Sequence, residues 1–179
     1  MKFWTSILLG IALLTSAAVA RKRDPLTDAE ADKIRQVRLE PYKRLKLYAE
    51  FTEARLDKID SVRNDPKEAT ERGVKIHDLL EDFSALIDEI NENIDMYQSE
   101  PLDKDQLKDY KKGLRELTAA ENRFGARLRA LKNDVSNDPQ AKAELPHYQF
   151  VLQDAQDAVK SSLETVKEYA AEKKDEKAK

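Results

Sequence analysis

The strongest constraint on the fold is the spacing of apolar residues, which recur at steps of three and four along most of the chain. Since an α-helix has about 3.6 residues per turn, this spacing places each apolar run on one helical face. No stretch after residue 20 alternates with a period of two, as a half-buried strand does. Each helix therefore needs neighbours that cover its apolar face. The clearest run is Ile76, Leu79, Phe83, Leu86, Ile90, Ile94 and Tyr97.

Three turns that contain proline divide the chain into four long segments. Two have the sequence Asn-Asp-Pro, at residues 64–66 and 137–139, and the third is Ser99-Glu100-Pro101. Proline cannot continue a helix, and short loops between long helices favour antiparallel neighbours. We therefore predict an all-α, antiparallel up-down four-helix bundle over residues 28–171, with helices at about 28–63, 67–98, 103–136 and 146–171.

Local signals refine these helices. Thr27 and Glu30 have the spacing of a capping box, which predicts the start of the first helix. Pro41 should kink or split that helix, and Pro146 suits the first position of the fourth. The basic residues 21–27 are predicted to be flexible, and the charged tail 172–179 is predicted to be disordered.

Two features repeat at nearly the same distance along the chain. The Asn-Asp-Pro turns lie 73 residues apart, and Ala-Arg-Leu occurs at residues 54–56 and again 72 residues later at 126–128. A duplicated helical hairpin explains both repeats. Any two antiparallel hairpins of equal length would also look alike, so both interpretations stay open.

The first twenty residues have the three parts of a secretory signal peptide. Lys2 is a short basic start, residues 3–14 are mostly apolar, and Ala18-Val19-Ala20 matches an A-x-A cleavage site. We predict cleavage after Ala20, export and a periplasmic location, with only transient membrane contact through this segment. An uncleaved membrane anchor is the alternative, which the basic residues 21–23 would favour.

Composition excludes several classes of chemistry. The chain has no Cys and two His, which excludes disulfides, thiolate metal sites and a three-His zinc site. Its four Gly residues form no phosphate-binding loop. The 32 basic and 35 acidic residues nearly balance, unlike the basic surfaces of nucleic-acid binders. We predict no cofactor and no nucleic-acid partner.

Three residues are the metal-ligand candidates that the sequence offers. Glu144 and His147 form an E-x-x-H, the spacing with which di-iron bundles place two ligands on one helical face. Such a site needs a second E-x-x-H and two further carboxylates, and Pro146 interrupts the motif. His77 is the other histidine. We predict no metal site, with Glu144, His147 and His77 as the positions to test.

A basic stretch in the first helix has two interpretations. Folding at Pro66 would bring residue i beside about residue 131 − i, so this stretch would face the acidic residues between 81 and 100. Such pairs favour one register over another. Alternatively, the stretch binds an anionic partner. Its residues are Arg35, Arg38, Lys43, Arg44 and Lys46.

Two polar residues fall at apolar positions of the helical pattern. Glu121 lies between Leu117 and Phe124, and Asn93 has a similar place in the second helix. A buried polar residue more often fixes helix register than performs catalysis. With no other catalytic pattern in the chain, we predict that the protein is not an enzyme.

Two short stretches carry a resemblance to a known family. Leu26-Thr27-Asp28-Ala29-Glu30 and Leu117-Thr118-Ala119-Ala120-Glu121 resemble the L-T-x-x-Q repeats of the small periplasmic chaperones of the Spy and CpxP type. This chain has Glu where that family has Gln, and the resemblance covers only these ten residues. It implies an exported helical protein that binds its partners with a helical cradle.

These observations together predict an exported, non-enzymatic helical interaction protein, a scaffold or a chaperone-like binder that acts through helix-face docking. Its partner would be another protein, which the sequence does not identify, and a homodimer is also compatible with the pattern. The alternative is a helical bundle that binds a metal or a small ligand.

Overall fold

The structure is a computed structural model that describes residues 24–99 and 101–175. Its described residues are all-helical, with no strand among them, and none of these helices has the length and apolar composition needed to cross a membrane. The predicted signal peptide and residues 176–179 lie outside the described part. Six helices pack against each other there: α1 (Asp28–Gln36), α2 (Pro41–Asn64), α3 (Arg72–Ser99), α4 (Lys104–Asn137), α5 (Pro139–Glu144) and α6 (Gln149–Asp175).

The start of α1 and the break before α2 follow from local sequence, as predicted. The Thr27 hydroxyl accepts a hydrogen bond from the Glu30 amide, and the Glu30 carboxylate accepts one from the Thr27 amide at 2.8 Å, which completes a capping box. Pro41 splits the predicted first helix, because it occupies the first turn of α2, where its missing N–H is not needed.

Three other helix boundaries differ from the prediction. The second helix begins at Arg72 rather than residue 67, because residues 66–68 form a 3₁₀ turn. The fourth begins at Gln149 rather than at Pro146, which lies inside a second 3₁₀ turn at residues 145–147. At its other end α6 extends to Asp175, beyond the predicted end at residue 171.

The longer connection shifts the pairing of α2 with α3. The Tyr48 hydroxyl donates to Glu89 Oε2 at 3.2 Å, and Arg55 Nε lies 4.0 Å from Asp82 Oδ2. Residue i of α2 therefore faces about residue 137 − i of α3, and the expected pairing with 131 − i was wrong. The 3₁₀ turn and the residues after it add the extra length.

The two helical hairpins, α2–α3 and α4–α6, pack with their equivalent helices parallel. α2 contacts α3 and α4, and α6 contacts the same two helices. Along the α2–α4 seam Tyr42 bonds Glu116, and farther on Arg63 bonds Asp134. The residue numbers of α2 and α4 increase in the same direction, so these two helices are parallel. Neighbouring helices are thus antiparallel within a hairpin and parallel between hairpins, whereas the predicted up-down bundle has antiparallel neighbours throughout. The bonded partners lie 71 to 74 residues apart, close to the sequence repeat of 72 to 73.

The apolar faces of the four long helices meet in one core. Phe83 of α3 and Phe124 of α4 pack edge to face, with ring centroids 5.8 Å apart. The predicted apolar run of α3 is buried except at Leu79, which is only partly buried while Leu80 takes the core position. The largest fully buried side chains are Tyr110, Tyr148, Phe83, Phe124, Leu45, Ile59, Ile76, Leu80, Leu86, Ile87, Ile90 and Ile94.

Residues 24–36 lie against the outer side of the α2–α3 hairpin, and Arg55 of α2 holds them there. The Arg55 guanidinium donates to both oxygens of the Glu30 carboxylate at 2.7 and 2.8 Å and to the Pro25 carbonyl at 2.6 Å. Ile34 of α1 adds its side chain to the core. Burial raises the pKa of Glu30, but hydrogen bonds from Arg55 and Thr27 outweigh it and hold that pKa at about 2.

We expect Glu30→Gln to destabilise the protein by about 2–3 kcal/mol at pH 7, because it removes a carboxylate whose pKa is lower in the folded than in the unfolded chain. This contribution is present above about pH 4.5 and is lost as the pH falls toward 2. Urea unfolding of both proteins between pH 7 and 2 measures it. The exposed Glu71→Gln is the control. If the difference in unfolding free energy between E30Q and the wild type does not change with pH, the stabilising role of the ionised Glu30 is contradicted.

Candidate functional site

The predicted basic patch is divided among local ion pairs. Arg35 pairs with Asp32, Lys43 with Glu40 and Lys46 with Glu50, each three or four residues away in the chain. The Arg44 guanidinium lies 6.0 Å from the centre of the Tyr48 ring, and Arg38 is exposed. The acidic residues of α3 contact other partners, such as Tyr48 and Arg55. The register places residues 41–46 opposite residues 91–96 of the acidic stretch, but none of the five basic residues forms an ion pair with α3 among the described contacts.

The three metal-ligand candidates do not converge. Glu144 is the last residue of α5 and accepts a hydrogen bond from Arg72 Nη1 at 3.0 Å. His147 lies in the following 3₁₀ turn, where its ring packs against Gly73 so closely that an added Cβ would lie 2.9 Å from His147 Cδ2. The E-x-x-H thus spans two elements, and its carboxylate is already engaged.

His77 has two carboxylate neighbours that the sequence analysis did not single out. Its Nδ1 lies 3.4 Å from Asp78 Oδ1 and 3.9 Å from Glu81 Oε2, so one ligand atom of each residue points to the same place. All three side chains are substantially exposed. Such groups are common on helices without an ion, and the spacing i, i+1, i+4 carried no distinctive signal.

An acidic groove runs along α3 beside the N-terminal segment. It has a volume of about 560 Å³ and is lined by Asp24 and by carboxylates of α3. Two of these already accept hydrogen bonds from tyrosines, Glu89 from Tyr48 and Asp95 from Tyr169. The groove is therefore partly closed by contacts within the protein.

A ladder of ion pairs spans the α2–α4 seam in the C-terminal half of α2. Arg127 donates to Asp57 Oδ1 at 2.7 Å and also to Asp60, and Arg123 donates to Glu53 at 3.1 Å. Arg127 belongs to the second Ala-Arg-Leu repeat and Arg55 to the first. Each arginine therefore binds carboxylates of a neighbouring helix that comes earlier in the chain. Arg55 of α2 binds α1, and Arg127 of α4 binds α2.

The seam between α4 and α6 contains a groove of about 410 Å³, larger than the groove of about 180 Å³ in the α2–α4 seam. Gly125 opens it, because a Cβ there would lie 3.3 Å from Arg129 Nη1 and 3.7 Å from Val159 Cγ1. We call this surface the α4–α6 groove. It is lined by Glu121, Asn122, Gly125, Arg129 and Lys132 of α4 and by Gln153, Gln156, Asp157, Val159, Lys160 and Leu163 of α6.

Glu121 lies at the floor of the α4–α6 groove and is fully buried. Its Oε1 is 2.6 Å from the Ser162 hydroxyl oxygen, while its Oε2 has no hydrogen-bond partner among the described residues. Burial raises the pKa of this carboxyl to about 7, although the Ser162 hydrogen bond and the positive charge of Lys167 act in the opposite direction. Glu121 thus changes charge near neutral pH.

Ser162 links Glu121 to Asn91, and its single hydrogen limits how it does so. The Ser162 oxygen is 2.6 Å from Glu121 Oε1 and 2.7 Å from Asn91 Oδ1, but one hydroxyl donates only once. If Ser162 donates to Glu121, the Asn91 amide must turn its NH₂ toward Ser162. If Ser162 donates to Asn91, Glu121 must be protonated and donate to Ser162. The orientation of the Asn91 amide therefore depends on whether Ser162 donates to Asn91 or to Glu121.

Charges reverse between the side of the first hairpin that packs on the second and the equivalent outer side of the second hairpin. Asp57 and Asp60 of α2 face α4, and Asp95 of α3 bonds Tyr169 of α6. The residues 72 positions later are all basic and lie on the outer side of the second hairpin. They are Arg129, Lys132 and Lys167.

The two polar residues singled out from the sequence are both buried, as predicted. Asn93 is 4% exposed and donates to the Glu89 carbonyl at 2.6 Å. The groove beside Glu121 was not predicted, although a mid-helix Gly125 and the polar Ser162 in an apolar run were its signals. The two Leu-Thr stretches differ in structure, since Glu30 caps α1 and Glu121 lies in the middle of α4.

Comparisons with protein-family models, with curated proteins and with solved structures found no match.

We expect Glu121→Gln to gain about 2–3 kcal/mol of stability relative to the wild type between pH 4.5 and 8. The pKa of the Glu121 carboxyl is higher in the folded than in the unfolded chain, so protonated Glu121 stabilises the wild type below about pH 4.5. This stabilisation is lost as the pH rises through 7. Urea midpoints across this range measure the difference. The exposed Glu164→Gln is the matched control, and parallel profiles of E121Q and wild type would refute a buried, titrating Glu121.

Proposed function

We propose that the protein is an exported, non-enzymatic interaction protein, a scaffold or chaperone-like binder, which docks an acidic helix of a partner protein in the α4–α6 groove. In this proposal α2, α3, α4 and α6 form a four-helix bundle, and the signal peptide directs the chain to the periplasm. The observation that carries it is the charge reversal between the exposed acidic residues along the seams of the first hairpin with the second and the basic residues at the equivalent positions of the second hairpin.

The two outer sides of the stacked hairpins differ in what covers them. Residues 24–36 cover the α2–α3 hairpin through the bonds of Arg55 to Glu30 and Pro25. Among the described residues, no helix has the same place on the outer side of the α4–α6 hairpin. Stacked helical repeats generally need such a cover at each end of the stack. A partner helix would supply the missing one.

The charge of the α4–α6 groove favours an acidic occupant. Arg129, Lys132 and Lys160 line it, against a single exposed carboxylate at Asp157. Arg129 and Lys160 form no ion pair within the described residues, so both cations are available to a partner. Complementary charge raises association rates and excludes partners of the wrong sign.

The shape of the groove favours a helix. It runs between two packed helices over more than two turns of each, from Glu121 to Lys132 on α4 and from Gln153 to Leu163 on α6. Side chains of a third helix interlock with such a groove in ridge-into-groove packing, as in other helix-in-groove complexes.

The charge-reversing double variant R129E/K132E should lose the partner, because the acidic helix would then meet two carboxylates. We expect at least a tenfold loss of captured partner, equal to about 1.4 kcal/mol or more. The measurement is quantitative mass spectrometry of proteins that co-purify with the tagged chain from the envelope of its own cells.

The control for that experiment is K58E/K108E, which makes the same change in net charge at two exposed lysines outside the groove. It should retain the partner. Equal capture by both double variants, or a captured protein without an acidic helix, would overturn the proposal. A second copy of the chain as the only bound protein would instead identify a homodimer.

A small-ligand binder is the second candidate function, and one observation favours it. The α4–α6 groove is within the size range of small-molecule sites, and its floor contains a buried carboxyl with a free hydrogen-bonding atom.

A further inference from the structure

We propose that the floor of the α4–α6 groove binds one carboxylate group, held between the Glu121 carboxyl and the Arg129 guanidinium. The inference rests on the proposed function, since an Asp or Glu side chain of the acidic partner helix would supply this carboxylate. A free small carboxylic acid carries the same group and would use the same two contacts.

The first contact is the unused oxygen of Glu121. Ser162 occupies Oε1, whereas Oε2 is buried without a partner, and Glu121 lines the groove. In this proposal the carboxyl turns Oε2 toward the groove to meet a ligand. A buried polar atom left without a hydrogen bond is destabilising, so a ligand that satisfies it gains affinity. With its proton on Oε2, the Glu121 carboxyl donates a hydrogen bond to one oxygen of an incoming carboxylate.

The second contact is the Arg129 guanidinium. Its Nη1 would lie 3.3 Å from a Cβ at Gly125, so the guanidinium extends back along α4 over the glycine. Gly125 is one helical turn, about 6 Å, from Glu121. Glu121, Gly125 and Arg129 are spaced by four residues, so they share one face of α4 and the two proposed contacts lie on either side of Gly125.

The remaining walls suit the carbon chain behind the carboxylate. Val159 is buried and Leu163 is half-buried in the α6 side of the groove, and Gly125 presents no side chain opposite them. An aliphatic chain of a few carbons would cover this apolar surface. The methylene groups of a Glu side chain on a docked helix would occupy the same space.

The charged groups of every neighbouring element favour an anion there. α6 contributes Lys160 and Lys167 against Asp157, and Lys132 lies farther along α4. α3 reaches Glu121 through Ser162 with the neutral Asn91. The nearby carboxylate of α2 is Glu53, which Arg123 and Arg127 already hold.

The protonation of Glu121 sets the pH dependence of this site. An ionised Glu121 would repel the incoming carboxylate, so binding requires the neutral form, which burial favours up to a pKa of about 7. The neutral fraction of such a group falls about tenfold between pH 6 and pH 8. Affinity should fall by the same factor.

The test titrates hexanoate into the ¹⁵N-labelled exported chain and follows amide chemical shifts by NMR at pH 6 and pH 8. We expect saturable shifts centred on Gly125, with binding about tenfold weaker at pH 8. Hexylamine, which has a similar chain and the opposite charge, should give no saturable shift. No saturable binding of hexanoate at pH 6, or equal binding of hexylamine, would overturn the proposal.

Two variants separate the contacts. Glu121→Gln keeps a donor at the groove floor but cannot ionise, so its hexanoate affinity should be the same at pH 6 and pH 8. Gly125→Leu fills the space under Arg129 and should abolish binding at both pH values, with thermal unfolding used to verify that each variant is folded. A tenfold pH effect that persists in E121Q, or undiminished binding to folded G125L, would contradict the site.

The outcome is distinguishable from a failure of the proposed function. If hexanoate does not bind but R129E/K132E still loses the acidic partner, only the carboxylate site is wrong. If hexanoate binds and the partner is retained by that variant, the groove is a small-molecule site and the helix-docking proposal fails.

Discussion

Phe83 and Phe124 meet at the centre of the molecule, where the apolar faces of all four long helices converge. α3 and α4 come from different hairpins, so their contact requires the hairpins to stack face to face. Because the stacking keeps equivalent helices parallel, each α4 residue lies beside the α2 residue about 72 positions earlier. The ion pairs along the seam and the position of every surface charge depend on this register.

Stacking in one direction leaves two unlike outer sides. On one of them, Arg55 holds α1 by donating to both carboxylate oxygens of Glu30. In the second hairpin the equivalent Arg127 donates to two carboxylates of α2, those of Asp57 and Asp60. On the other side, the α4–α6 groove has Arg129 and Lys132 at the positions equivalent to Asp57 and Asp60, which bind Arg127 along the α2–α4 seam. A surface built on the pattern of an internal seam but with reversed charge is suited to a partner of opposite charge.

The helical content, the proline breaks and the capping box were predictable because each depends on a few neighbouring residues. The stacking was not, since the chain crosses from α3 to α4 in the short connection around Pro101 and nothing local specifies which helices become neighbours. The same limit applies to the site. Burial of Glu121 followed from its place in the apolar run, but its bond to Ser162 depends on the packing of α4 against α6.

The most direct test of the docking surface uses the absence of native cysteine. A photo-crosslinker attached at Asn122→Cys, in the groove, should give a crosslink in intact cells to an acidic helical segment of one protein, identified by peptide mass spectrometry. The same crosslinker at Lys58→Cys, on exposed α2, should give none with that protein. No crosslink from residue 122, or the same product from both positions, would contradict the assignment of the α4–α6 groove as the docking surface.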